Sequence, residues 1–208
     1  METNEQLIAL LQKEGYLKTQ SVIGAFQAID RKDFVPADLP DKAYANEALP
    51  IGEKQTISQP LVVAFMLEIL GVKAGEKILE VGTGSGWKTA LLASLVGKDG
   101  EIISIERIEL LSERAKANLS KYGVVESGVV ELVVGDGSRG YPEQAPYDKI
   151  IAAAAADKFP EVWKEQLKIG GRIVTPVGNS IFVVDKITKD SFEQKEYFGF
   201  SFVPLVKG

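Results

Sequence analysis

The chain has 208 residues, 45% hydrophobic and 25% charged, with a net charge of -5; this usage fits one globular domain with a sizeable core and argues against disorder, collagen-like repeats or a membrane bundle. It contains no cysteine and no histidine, which excludes a disulfide framework, a thiolate or imidazole metal site, a cysteine nucleophile and a Ser-His-Asp relay. Catalysis must then rest on carboxylates, hydroxyls, amides, Lys, Arg, Tyr or a cofactor with its own reactive group, and the acidic balance weighs against a protein that coats nucleic-acid backbones.

In chain order, Asn4 to Leu11 and Gln20 to Ile29 have helical apolar spacing and lead into Arg31-Lys-Asp-Phe-Val-Pro36, where proline ends regular structure. Ala37 to Ser58 has scattered Pro and Gly and reads as irregular. Gln59 to Leu70 is a nearly all-apolar helix, hence buried, closed by Gly71. From Lys77 short β-rich runs alternate with helices. Strand Lys77 to Val81 is followed by helix Trp87 to Val96, and strand Glu101 to Ile105 by helix Ile108 to Tyr122, closed by Gly123. Further strands are expected at Val129 to Val134, Tyr147 to Ala152 and Arg172 to Pro176, with a helix opened by Pro160 and ended before Gly170-Gly171. Ile181 to Ile187 and Glu196 to Val203 read as two mutually antiparallel strands joined by a polar turn.

The expected architecture is α/β, a Rossmann-like doubly wound, mostly parallel sheet with a helical N-terminal section and an antiparallel C-terminal strand pair. Residues 1–208 form one expected domain, with 1–75 the helical section and acceptor loop and 76–208 the cofactor-binding sheet and C-terminal strands. The longest apolar runs, Leu61 to Leu67 and Ile150 to Ala156, have seven residues each, against the roughly 20 of a membrane-spanning helix. The polar, acidic N-terminus differs from a secretory signal, so a cytoplasmic location and no membrane partner are expected.

The strongest local signal is Lys77-Ile-Leu-Glu-Val81 running into Gly82-Thr-Gly-Ser-Gly86 and directly into a helix. Glycines there let the backbone turn sharply and let a ligand lie against bare main chain at a helix start. The spacing is Gly-x-Gly-x-Gly, and bulky Trp87 occupies the place of a dinucleotide fingerprint's third glycine, which disfavours a pyrophosphate. The next strand ends at once in Glu106, which can accept from both ribose hydroxyls or sit at a helix start where the dipole favours a negative charge; after the glycine turn the ribose role is preferred. The third ends in Asp136-Gly137, either an acceptor for an adenine amino group or an Asx-turn. Candidate cofactor residues are Glu80, Gly82, Thr83, Gly84, Gly86, Glu106, Asp136 and Gly137. Three successive loops at the carboxyl edge point to an adenosine cofactor without pyrophosphate.

With these motifs the sequence resembles class I S-adenosylmethionine-dependent methyltransferases, and more closely the protein-L-isoaspartate O-methyltransferase family. The closer likeness rests on Arg31-Lys-Asp-Phe-Val-Pro36, Leu49-Pro-Ile-Gly52, Gln55-Thr-Ile-Ser-Gln-Pro60, Ala145-Pro-Tyr-Asp148, Gln166-Leu-Lys-Ile-Gly-Gly-Arg172 and Phe202-Val-Pro-Leu205. It departs from the family pattern at Lys54, usually Gly, at Leu61, commonly Tyr or His, and at Trp87, commonly Tyr. The first two flank the presumed acceptor loop and bear on acceptor preference.

The resemblance implies S-adenosylmethionine as cofactor and, as partners, proteins and peptides carrying isoaspartyl residues, whose free α-carboxylate is methylated. The acidic balance leads to the expectation of no nucleic-acid partner, and a monomer is expected. A carboxylate with a pKa near 4 is already ionised at neutral pH and needs no general base. Ser58 is the first candidate for holding the acceptor, with Thr56 the alternative; at the start of an apolar helix, Ser58 is equally an ordinary N-cap. Val203, Pro204 and Leu205 are candidates for bordering the peptide, or a terminal apolar strand in the core. Alternatives with the same cofactor half are an RNA or small-molecule methyltransferase and a noncatalytic peptide-binding module.

Overall fold

The computed structural model describes residues 2–206. Helices α1 (Asn4–Lys13) and α2 (Gln20–Ala28) form where helical spacing gathers Leu7, Ile8 and Leu11, and Val22, Ile23 and Phe26, onto buried faces. Thr3 caps α1 by accepting from Gln6 N. Arg31–Phe34 makes one 3-10 turn, begun by the Asp30 carboxylate accepting from Lys32 N.

The stretch expected to be irregular contains a hairpin, β1 (Leu49–Gly52) paired antiparallel with β2 (Gln55–Ile57). Its two-residue turn is Glu53-Lys54, both in the left-handed region at φ 51° and 58°. Such turns are normally signalled by Asn-Gly or Asp-Gly, and neither residue type announces a positive φ. Helix α3 (Pro60–Leu70) follows and stops at Gly71, left-handed at φ 64° and ψ 53°.

The main sheet has seven strands: β3 (Lys77–Val81), β4 (Glu101–Glu106), β5 (Val130–Val134), β6 (Tyr147–Ala152), β7 (Leu167–Val177), β8 (Ser180–Lys186) and β9 (Phe192–Phe198). Their order is β5-β4-β3-β6-β7-β8-β9, parallel through β7 and antiparallel for the last two pairings. Helices α4 (Trp87–Val96) and α5 (Glu109–Ser120) make the crossovers after β3 and β4. Because β4 and β6 flank β3 on opposite sides, the order reverses beside β3, where open α/β sheets bind ligands.

Two expected elements differ. The helix opened by Pro160 is only α6 (Val162–Glu165), because Leu167 already pairs with Tyr147 and a bulge follows before Lys149 meets Arg172. Gly171 permits that bulge: a Cβ on it would lie 2.8 Å from the Asp148 carbonyl oxygen. The last strand runs over Phe192–Phe198 rather than Glu196 to Val203. As an edge strand it exposes Glu193 to Glu196, which guards an unpaired edge and erases the period-2 signal. Gly199, at φ 103°, ends it, and of Val203 to Leu205 only Pro204 pairs, in an isolated parallel bridge to Ala155.

Strand alternation sends Ile78, Ile151 and Val174 to one face and Leu79, Ile150 and Ile173 to the other. The first face shares one apolar cluster with Leu7, Phe26, Ile57, Leu67 and Trp87, so the N-terminal section and the sheet have a common core. The second packs on Tyr147 and Trp163. Among the described residues no helix is long and apolar enough to cross a membrane.

Candidate active site

Chain direction brings the ends of β3, β4, β5 and β6 to one edge. After Val81 the backbone turns through Gly82 (φ 90°), Gly84 (φ 57°) and Gly86 (φ 88°) into α4. The three glycines have different surroundings. A Cβ on Gly82 would lie 3.2 Å from Ala153 Cβ at the end of β6, and one on Gly86 3.2 Å from Leu119 Cγ on α5. Gly86 thus serves helix packing, whereas Gly82 and Gly84 line the cleft.

Beneath the turn lies a buried polar network. The Glu80 carboxylate accepts from Thr89 Oγ1 at 2.5 Å and Ser104 Oγ at 2.8 Å, and Lys88 Nζ lies 3.6 Å from its other oxygen. Thr83 Oγ1 and Ser104 Oγ share a hydrogen bond of 2.6 Å. Burial pushes the Glu80 carboxyl up and the Lys88 ammonium down, each opposed by the other's charge. Glu80, fully buried, is held under the turn and does not line the cleft. The sequence does not disclose this, since alternation alone cannot say which face of β3 a helix will cover.

The cleft holds about 650 Å³ of space, part of it open to solvent. Glu106, the last residue of β4 and not part of α5, lines it. Its Oε2 accepts from Gly84 N and its Oε1 from Ile108 N, both at 3.0 Å, so the carboxylate links glycine turn and helix start. Gly137 lines the cleft as well, and a Cβ there would sit 2.6 Å from Val81 Cγ1. Asp136 Oδ1 accepts from Ser138 N at 2.8 Å and Oδ2 from Ser138 Oγ at 3.0 Å, the Asx-turn arrangement. That loop is tied from behind by Gln166, which donates to Arg139 O and accepts from Tyr141 N.

On the opposite wall, Thr56 and Ala153 border both this cleft and an adjoining pocket containing Ser58, Val62 and Phe202. Ser58 does not cap α3. The cap residue is Gln59, whose side chain makes no capping bond, and the Leu61 N–H is taken by Asn46 Oδ1 at 3.0 Å. The Ser58 hydroxyl therefore makes no hydrogen bond among the described residues, and Ser58 is half-buried. Val203 to Leu205 lie across the site: Ala155 N donates to Val203 O, and Leu205 N to Ala155 O, at 2.8 and 2.7 Å. All three residues line the cleft, and Val203 also lines the Ser58 pocket.

The donor set suits an adenosine without pyrophosphate: one acceptor carboxylate, bare glycine backbone and apolar walls from Ile105, Ile108 and Leu205. Trp87, 2% exposed between Phe26 and Arg31, fills the helix start where a dinucleotide fold keeps glycine.

Residues 2–208 match the family described as protein-L-isoaspartate(D-aspartate) O-methyltransferase. The chain belongs to that family. It is 43% identical over 206 residues to the protein-L-isoaspartate O-methyltransferase of Methanopyrus kandleri, covering 97% of this chain and 90% of the relative. To that of Dictyoglomus turgidum it is 47% identical over 204 residues, with coverage of 97% and 90%. The fold also superposes on a Plasmodium falciparum β-aspartate methyltransferase solved with S-adenosyl-L-homocysteine, at a TM-score of 0.91, 20% identity and complete coverage of both chains.

In this isoaspartate methyltransferase family member, the edge unites Gly82, Gly84, Glu106, Gly137, Thr56, Ser58 and Val203 to Leu205. Glu80, Thr83 and Gly86 stand behind the glycine turn, and Asp136 stands beside the cleft, turned onto Ser138. Sequence reasoning missed Ala153 and Ala154, which line the cleft. They lie in a run that reads as core, and only their place after a strand adjoining Gly82 marks them. Asn46 was missed too, because its partner is fifteen residues away.

Proposed function

We propose that this chain transfers the methyl group of S-adenosylmethionine to the free α-carboxylate of L-isoaspartyl residues in damaged proteins and peptides. The observation that carries the reading is the adjacency of two pockets sharing Thr56 and Ala153, one with Glu106 and the glycine turn, the other with an uncommitted Ser58 hydroxyl. S-adenosylmethionine supplies a methyl carbon on a sulfonium centre.

Glu106 would accept from the ribose hydroxyls while retaining Gly84 N–H, and Gly82, Gly84 and Gly137 would leave room for the ligand against the main chain. The Ser58 hydroxyl would donate to one oxygen of the acceptor carboxylate and orient the other. A new carboxylate O–CH3 bond forms as the S–CH3 bond breaks, its electron pair staying on sulfur. No proton moves, so the absence of histidine from this sequence is no obstacle. An anion and a cation become two neutral groups, which favours a site with apolar walls such as Val203 and Leu205.

Residues 2–206 act as one domain in this reading, supported by the core that α1, α2 and the sheet share. The deciding experiment is labelled methyl transfer to an isoaspartyl peptide and to its aspartyl twin. The twins have equal charge and composition, and a misplacement of about 1 Å can cost a hundredfold in rate. At least about a hundredfold preference in kcat/KM is therefore expected. Equal rates on the two, or transfer to neither with normal cofactor binding, would overturn the assignment.

A further inference from the structure

Three segments converge on one buried cation. Arg31 is fully buried, at the start of the 3-10 turn. Its Nη1 donates to the carbonyls of Ala43 and Ala45 at 2.7 and 3.2 Å, and its Nη2 to those of Glu47 and Ser58 at 2.9 and 3.3 Å. The guanidinium carbon lies 5.2 Å from the ring centre of Trp87, the residue directly after Gly86. Nε has no acceptor among the described residues. Burial lowers the pKa to about 10, opposed by Glu47, so the group stays charged at neutral pH.

The segment from Ala43 to Glu47 lies outside helix and strand, and its backbone groups still need partners. Arg31 collects three of its carbonyls from one side, and from the other Asn46 accepts from Gln59 Nε2 and Leu61 N. The fourth carbonyl on Arg31 belongs to Ser58 itself. The Ser58 peptide is thereby tied through a planar fork to the ring that opens α4. None of the four carbonyls belongs to the cofactor cleft's glycine loops.

We propose that Arg31 is the positioning residue of the acceptor site, its fork and its stack on Trp87 setting Ser58 relative to the glycine turn. This rests on the methyl-transfer reading above. An ammonium lacks the planar fork and cannot reproduce four bonds with a stacked face. Arg31→Lys therefore keeps the charge and loses the geometry.

The test is a double-mutant cycle on the full chain. Arg31→Lys should lower kcat on an isoaspartyl peptide about ten- to a hundredfold, the scale of a sub-ångström to 1 Å misplacement, with S-adenosylhomocysteine affinity by calorimetry within about twofold of wild type. Added to Ser58→Ala, it should slow turnover by no more than about twofold further, because both changes remove one interaction. Normal kcat, a loss of cofactor affinity parallel to the loss of turnover, or fully multiplicative losses in the double variant would each overturn the proposal. Should Arg31→Lys not fold, Arg31→Gln, which retains two N–H donors, carries the same expectations. Amide exchange reads the frame without turnover: Arg31→Lys should speed exchange across 43–61 about tenfold and leave 77–96 unchanged, a local opening. A uniform change across both segments would overturn the proposal. A wild-type protein that methylates no isoaspartyl peptide overturns the proposed function, and the exchange result still decides the role of Arg31.

Discussion

Replacing Ser58 by alanine separates structural from chemical duty, because the fold has already assigned the structural duty elsewhere. An N-cap serine costs about 1 kcal/mol when lost, but the N–H it would satisfy belongs to Leu61 and is held by Asn46 Oδ1. Among the described residues Ser58 is held by its carbonyl, which accepts from Arg31 and which alanine keeps. The stability loss should therefore be below about 0.5 kcal/mol, as for an ordinary substitution off the core. That is a shift of about 1 to 2 °C in Tm at this chain length. A hydrogen bond from the hydroxyl to the acceptor carboxylate is worth about 1.5 to 3 kcal/mol, so kcat should fall about 10- to 150-fold at saturating cofactor. Calorimetric melting paired with initial rates of labelled methyl transfer measures both quantities on one preparation. A drop of several degrees with normal kcat would refute the reasoning, returning Ser58 to a cap and Asn46 to a bystander.

Glu106→Ala should weaken binding of S-adenosylhomocysteine by about 1.5 to 3 kcal/mol, read by calorimetry; unchanged affinity in a folded variant would leave Glu106 only its bonds to Gly84 N and Ile108 N. Lys54 holds φ 58° in the hairpin turn, so Lys54→Gly should relieve about 1 kcal/mol of left-handed strain and raise Tm by about 2 to 4 °C. A lowered Tm would show that unfolded-chain entropy outweighs that strain. Asp148 is held below the usual carboxylate range: desolvation raises it, but the combined pull of Lys168 and the Lys77 N–H lowers it further. A depressed folded pKa stabilises above the unfolded value near about 4 and is lost as pH falls through the folded one. Urea midpoints of wild type and Asp148→Asn should thus differ at pH 7 and converge toward pH 3, and a gap constant with pH would contradict the linkage.

The difference between the two ends of the chain shows what kind of information a sequence carries. The parallel strands β3, β4 and β6 were legible because each is short, apolar and bounded by a turn or helix, and β6 runs over Tyr147–Ala152 as expected. The edge strand β9 was not: its middle residues, Glu193 to Glu196, are all exposed, so no alternating burial pattern marks its register, and the apolar run after it packs elsewhere. Phe200 stacks on Phe65 with ring centres 5.3 Å apart, and Val203 and Leu205 bond to Ala155.

Residue order alone specifies the glycine turn, the acidic residue after the next strand and the Asp-Gly after the third, since these are local choices of backbone freedom and charge at strand ends. Composition alone also rules out imidazole and thiol chemistry. Packing through space is what puts Glu80 under the turn with Lys88, spaces Gly86 for Leu119 and leaves the Ser58 hydroxyl uncommitted. In each case the deciding partner is remote in sequence or on a neighbouring element: Leu119 on α5, Asn46 ahead of the hairpin, Arg31 before the acceptor loop. Such partners satisfy buried groups through space, and the spacing of residues along a chain carries no record of which distant donor or acceptor will arrive.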